Sequence, residues 1–285
     1  MSSLVIALLS PRGGQWCTTV ALSIAWELAA RHATYFIDAD MSGNSNAADL
    51  LHLRRDPEHH LGNLRLREAL SAGELARQAV RHPKRPNLLV VPGLDPRHGS
   101  ISGPSLADVL PGLAPAVSEL DADAVVVDLG ACLVYPRQES PYLVGQRLNS
   151  TSWDVLVTVH DAASVVANAA AVLKETRLAR GRVILGATRG GSKQVIDWAS
   201  SILSEETQLQ VVGTVDWAPK RAFYSADVGD PMPAQQLVSK LKLEERIRAD
   251  RGHPPAERKR RRLRWPFRSR KSERSVGSSA QGADV

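Results

Sequence analysis

Leu4-Val5-Ile6-Ala7-Leu8-Leu9-Ser10-Pro11-Arg12-Gly13-Gly14-Gln15-Trp16-Cys17-Thr18-Thr19 is the stretch on which the fold turns. An apolar run of strand length enters a glycine-bearing turn, and an amphipathic helical segment, Thr18–Ala30, begins at once behind it. Such a turn presents backbone N–H groups and a helix amino terminus, both suited to a phosphate. Taken alone it is weak evidence, so the rest of the chain has to agree with it.

Outward from this turn, apolar runs alternate with helix-length segments. Strands are predicted at Leu4–Leu9, Tyr35–Asp38, Leu88–Val91, Ala124–Asp128, Val155–Val159, Val183–Ala187 and Val211–Val215. Helical patterns include Thr18–Ala30, Arg67–Arg81, Ala162–Thr176 and Lys193–Leu203, with a last one at Ala234–Arg248 before Gly252-His253-Pro254-Pro255. Uninterrupted Val/Ile/Leu runs belong to parallel strands buried on both faces. The fold class is therefore α/β: a mostly parallel sheet with helices on both faces. Residues 83–104, rich in Pro and Gly, read as surface loops around one strand, and no internal repeat is visible.

The chain has 285 residues, 43% of them hydrophobic, enough for one large α/β domain with a substantial core. No stretch approaches the roughly 18–20 apolar residues needed to span a bilayer. The amino terminus lacks the basic region of a signal peptide. Two cysteines, Cys17 and Cys132, make no disulfide framework, which fits a reducing cytoplasm. Charge divides the chain. Of 36 Lys/Arg and 30 Asp/Glu, ten and two lie in residues 257–274, giving that segment +8 and leaving −2 for the remainder. The expected organisation is a folded domain over 1–250 and a basic tail over 251–285 with too little apolar content to fold alone.

The turn, in this setting, resembles the ParA/MinD family, whose deviant Walker A loop reads approximately K-G-G-x-G-K-T-T. Further stretches match in order and spacing. Phe36-Ile37-Asp38-Ala39-Asp40 with Gly43-Asn44 resembles the second strand and its acidic switch. Val125-Val126-Val127-Asp128-Leu129 resembles the Walker B strand, and Val91-Pro92-Gly93-Leu94-Asp95-Pro96 a loop after a neighbouring strand. Val211–Asp216 and Gly229-Asp230-Pro231 resemble the closing strand and the turn beyond. The resemblance covers about residues 1–245 and implies a P-loop NTPase fold and ATP or ADP with Mg²⁺ as the family's cofactor.

The departures carry as much meaning. The family's lysine that crosses a dimer to the partner's nucleotide falls at Arg12, the lysine on the β/γ-phosphates at Cys17, and the glycine before it at Trp16. Arg12 keeps a charge, but a planar fork does not replace a compact ammonium. Cys17 supplies no cation. Losing one transition-state cation costs on the order of 10³–10⁵ in rate, judged by arginine-finger effects. Trp16 stands where close backbone approach favours glycine, and its indole is expected to crowd the γ-phosphate position.

The remaining positions match: Gly13 and Gly14 in the loop, Thr18 as the Mg²⁺-ligating hydroxyl with Thr19 after it, Asp40 as the carboxylate that polarises water, Asp38 and Asp128 as metal-side acids. Thr188-Arg189 resembles the family's pair near the adenine, and also reads as an ordinary loop. Two readings stand open. Either Mg·ATP binds weakly with Arg12 partly compensating, or the pocket is vestigial, no cofactor binds, and the acids persist as caps and strand ends.

The tail is the second informative feature. Arg258, Lys259, Arg260, Arg261, Arg262 and Arg264 lead into Trp265-Pro266-Phe267, followed by Arg268, Arg270 and Lys271. Basic residues interleaved with aromatics suit an anionic membrane surface, and equally non-specific nucleic-acid phosphates. Pro266 argues against a regular amphipathic helix there. Glu58-His59-His60 reads as a solvated loop rather than a metal site. Cys17 at a helix start raises a low-pKa thiol, without the partner that catalysis would need. Ser10 and Ser42 have no nucleophile context, and Trp26, Trp153, Trp198 and Trp217 read as core or edge packing.

Degraded phosphate loops are a feature of the CpaE/TadZ-like members of the group. The resemblance thus implies a homodimeric localisation factor with partners in a pilus, secretion or division apparatus, cytoplasmic or peripheral at membrane or nucleoid. The rival expectation is a slow, partner-stimulated ATPase of DNA partitioning that uses Arg12, Thr18 and Asp40. A third is an unrelated scaffold sharing only the fold.

Overall fold

A computed structural model describes residues 3–13, 16–41, 47–53, 58–66, 68–94, 105–133, 140–187, 193–216 and 234–250. The run that opens the chain is β1 (Leu4–Leu9), buried at all six positions. It lies between β5 (Ala124–Asp128) and β6 (Asp154–His160), parallel to both. On one side the sheet continues through β2 (Thr34–Asp38), β4 (Leu88–Val91) and β3 (Val80–Arg81); on the other through β7 (Gly181–Ala187) and β8 (Gln210–Asp216). The order is β3-β4-β2-β5-β1-β6-β7-β8, and among the described residues only the β3–β4 pair is antiparallel.

Alternation along each strand divides the core into two layers. Val5, Ala7 and Leu9 join Val125, Val127, Val155 and Val157 under α3 (Ala72–Arg77), α4 (Leu106–Ser118), α5 (Pro141–Asn149), α6 (Ala163–Thr176) and α7 (Lys193–Thr207). Leu4, Ile6 and Leu8 join Phe36, Val126, Leu156 and Ile184 under α1 (Cys17–Leu28), α2 (Ala47–Leu50), α8 (Gln235–Lys240) and α9 (Leu243–Asp250). The predicted α/β class holds, and every predicted strand is present to within two residues at either end.

Two helices differ from expectation. The helix predicted over 67–81 is not continuous over its described residues, 68–81. Ser71 caps α3 through a box with Glu74, and Val80-Arg81 then leave as β3. The segment 234–248 is broken at Leu241-Lys242, where Lys242 takes the left-handed conformation (φ 52°). The helix α4 is not among the predicted helical patterns, and it carries Pro111 and Pro115 in its interior. A proline inside a helix costs about 3 kcal/mol or more; here the apolar stripe Leu106, Val109, Leu110, Leu113, Ala116 and Val117 is fully buried and offsets it.

Trp26 and Trp153 are core residues as expected, whereas Trp198 points outward at 42% exposure. Gly43-Asn44, Ser42, Asp95-Pro96, Trp217, Gly229-Asp230-Pro231 and the tail 251–285 lie outside the described residues. Among the described residues no helix is long and apolar enough to cross a membrane.

Candidate functional site

Parallel strands deliver their carboxyl ends to one edge, the usual place for ligands in open α/β sheets. Here that edge gathers the turn after β1, Asp38 of β2, Asp128 of β5, His160 of β6 and Gly186 of β7. The turn is tied down from below: Ser10 N–H donates to the Gly130 carbonyl at 2.9 Å, and Leu129 N–H to that of Leu8 at 2.8 Å. A Cβ built on Gly13 would lie 4.0 Å from Ala131 Cβ, so the loop rests on the segment after β5.

Trp16 is the residue before α1 and adopts a left-handed conformation, φ 58° and ψ 25°, which is costly for a bulky side chain. It supplies no side-chain cap to the helix. Its indole lies on Gly186, where any Cβ would overlap the six-membered ring, and 5.1 Å from the His160 ring at a 51° tilt. The indole therefore fills the crevice over the ends of β6 and β7.

Cys17 turns the other way. Its Sγ donates to Asp128 Oδ1 at 3.2 Å, and the same oxygen accepts the Gly130 N–H at 2.9 Å. Burial pushes the thiol pKa well up, and the neighbouring Asp128, Cys132 and Asp40 push it further. Cys17 is a neutral donor, the opposite of the low-pKa thiol considered above. Asp128 is fully buried, and burial lifts its carboxyl to about 6 against the pull of Thr18, Cys17 and Gly130. Its Oδ2 makes no hydrogen bond of normal geometry; Thr18 acts on the carboxyl as a near neighbour.

Asp40 lies across Gly130, whose φ of +63° and bare Cα admit the carboxylate: a Cβ there would stand 2.6 Å from both oxygens. Asp40 N–H donates to Asp38 Oδ1 at 3.4 Å, and Ala39 N–H to the Asp128 carbonyl at 2.7 Å. Asp38, Asp40 and Asp128 are all buried. Thr18 and Thr19 are half-buried, while Arg12 is exposed on the turn.

Of the residues singled out in the sequence, Gly13, Cys17, Thr18, Asp38, Asp40 and Asp128 come together. Gly14, Thr188, Arg189 and the tail residues 258–271 lie outside the described residues. His160 and Gly186 were missed. A glycine next to the end of an otherwise bulky apolar strand, with a tryptophan in the glycine-bearing turn, was the available signal.

A nucleotide with Mg²⁺ fits half of this arrangement. Mg²⁺ at phosphate sites takes one or two side-chain oxygens, which the neighbouring Thr18 and Asp128 supply. Among the described residues no three His, Cys, Asp or Glu form a ready metal set, Glu58-His59-His60 included. The phosphate half does not fit. Cys17 offers a neutral thiol bonded to a buried acid, and phosphate charge would meet Asp128 and Asp40.

No family model matches the chain, and no curated protein matches it in sequence. Solved structures do match in fold. Apo McdA from Cyanothece superposes with a TM-score of 0.61 at 17% identity, over 86% of this chain and 98% of that one. The septum site-determining protein MinD from Pyrococcus horikoshii, complexed with Mg-ADP, gives 0.56 at 17%, covering 88% and 98%. A ParA family ATPase from Chlorobium tepidum gives 0.56 at 15%, covering 88% and 100%. The chain has the ParA/MinD-type P-loop fold.

Proposed function

We propose that this chain is a spatial-organisation protein built on the ParA/MinD fold, with ATP turnover attenuated or absent. The observation that carries the reading is the Cys17–Asp128 hydrogen bond, which puts a neutral thiol where the family resemblance places a cation. Trp16 supports it by filling the crevice over Gly186. In this reading the work lies in surfaces: a homodimer, protein partners in a pilus, secretion or division apparatus, and the basic tail at an anionic membrane or DNA. The chain would then act in the cytoplasm, peripheral to membrane or nucleoid, as CpaE/TadZ-like members do.

The test is calorimetry of Mg·ATP and Mg·ADP on the full chain beside the Cys17→Lys/Trp16→Gly variant. No heat from the native chain at millimolar nucleotide, with binding restored in the variant, is the expected result. Micromolar binding by the native chain would overturn the reading.

One observation favours a second reading, a slow partner-stimulated ATPase in DNA partitioning: Thr18, Asp38, Asp40 and Asp128 persist together. In it Arg12 is the surviving cation. An Arg12→Ala loss of nucleotide binding, alongside DNA-stimulated phosphate release, would decide in its favour.

A further inference from the structure

Away from the phosphate loop, α4 and the carboxyl end of α5 enclose a groove of about 430 Å³ with the segment that leads into β6. This is within the size range of small-molecule sites, roughly 300–1,000 Å³. One wall is apolar: Pro111, Ala114 and Pro115 on the outer face of α4. Both prolines are exposed, so core packing gives no reason for two helix-breaking residues one turn apart. Their rings make a flat, rigid apolar surface at the groove.

The rest of the lining is polar, and its hydroxyl protons are mostly committed. Ser118 Oγ donates to the Ala114 carbonyl, Ser150 Oγ to that of Arg147, and Thr151 Oγ1 to that of Leu148. The groups left for a ligand are the Arg147 guanidinium and the Ser152 hydroxyl. Arg147 is exposed and makes no ion pair among the described residues. An arginine only donates, with five N–H groups suited to a carboxylate. No Asp or Glu lines the groove.

We infer that this groove binds a small organic anion: a planar apolar body lying on Pro111 and Pro115, with its carboxylate on Arg147. The site is independent of the reading given to the phosphate loop.

The experiment titrates the ¹⁵N-labelled full chain with 2-naphthoate and with its uncharged counterpart, 2-naphthylmethanol. Naphthoate is expected to shift the amides of Ala114, Ser118, Thr151 and Ser152 saturably. The alcohol, and naphthoate on Arg147→Gln, are expected to bind about tenfold or more weakly, as loss of a charge-assisted pair implies. Pro111→Ala/Pro115→Ala separates binding from folding: the variant regains helix donors and melts higher, yet holds naphthoate several-fold less tightly. Unshifted amides at millimolar naphthoate, shifts centred elsewhere, or equal binding by Arg147→Gln would each overturn the inference.

Discussion

Asp128 ionises against the resistance of its surroundings. An unfolded aspartate titrates near 3.9, and burial lifts this one to about 6. Below about pH 4 the carboxyl is protonated in both folded and unfolded chains, and its burial carries no charge penalty. As pH rises through 6 the folded chain must give up a proton it holds more tightly than the unfolded chain does, so stability falls. The full loss, above about pH 6, is on the order of 3 kcal/mol. Asp128→Asn keeps an acceptor for Cys17 and Gly130, and is expected to gain about 1–3 kcal/mol at pH 7.5 by urea unfolding. The gain should vanish at pH 4; an equal gain at both pH values would show that charge is not the cause. Cys17 gives a second check. Its buried, acid-flanked thiol should stay unalkylated in the native chain while half-buried Cys132 reacts, read by mass spectrometry of iodoacetamide adducts. The identities at 17, 18, 40 and 128 were legible in the sequence. The bond between Cys17 and Asp128 was not, because spacing along a chain does not say which way a side chain turns.

Among the elements, the turn before α1 meets β7 through the Trp16 indole, which lies on Gly186. Gly186→Ala would force the indole out and is expected to cost about 1–3 kcal/mol, the usual range for overpacking. In a Trp16→Gly background the same change should cost nearly nothing, since the collision and the left-handed strain are both gone. A double-mutant cycle by thermal unfolding measures the coupling; additive effects would mean that the indole does not rest there. Strands were the most legible elements, since burial on both faces leaves only apolar residues to write. Two-residue β3 is too short to leave a pattern, and α4 hides its stripe behind Pro111 and Pro115. Left-handed Trp16 could not be anticipated, because nothing in a bulky aromatic announces positive φ.

Taken whole, the molecule fastens its last described helix at the edge opposite the phosphate loop. Arg246 of α9 and Arg182 of β7 both hold Asp154, the latter at 3.1 Å, and Glu244 meets Arg31 beyond α1, also at 3.1 Å. Asp154→Asn is expected to raise amide exchange across 243–250 without disturbing the loop, at a cost of about 1 kcal/mol that shrinks in high salt. Exchange unchanged there would show that apolar packing alone holds α9. The strand order has a further consequence, in the time domain. β1 pairs with β5 and β6 and with no strand nearer in sequence. During synthesis residues 4–9 must therefore wait for residue 124, about 6–23 s at ordinary elongation rates. For that interval the first six-residue strand is an unpaired apolar segment on the ribosome, and a natural client for a chaperone.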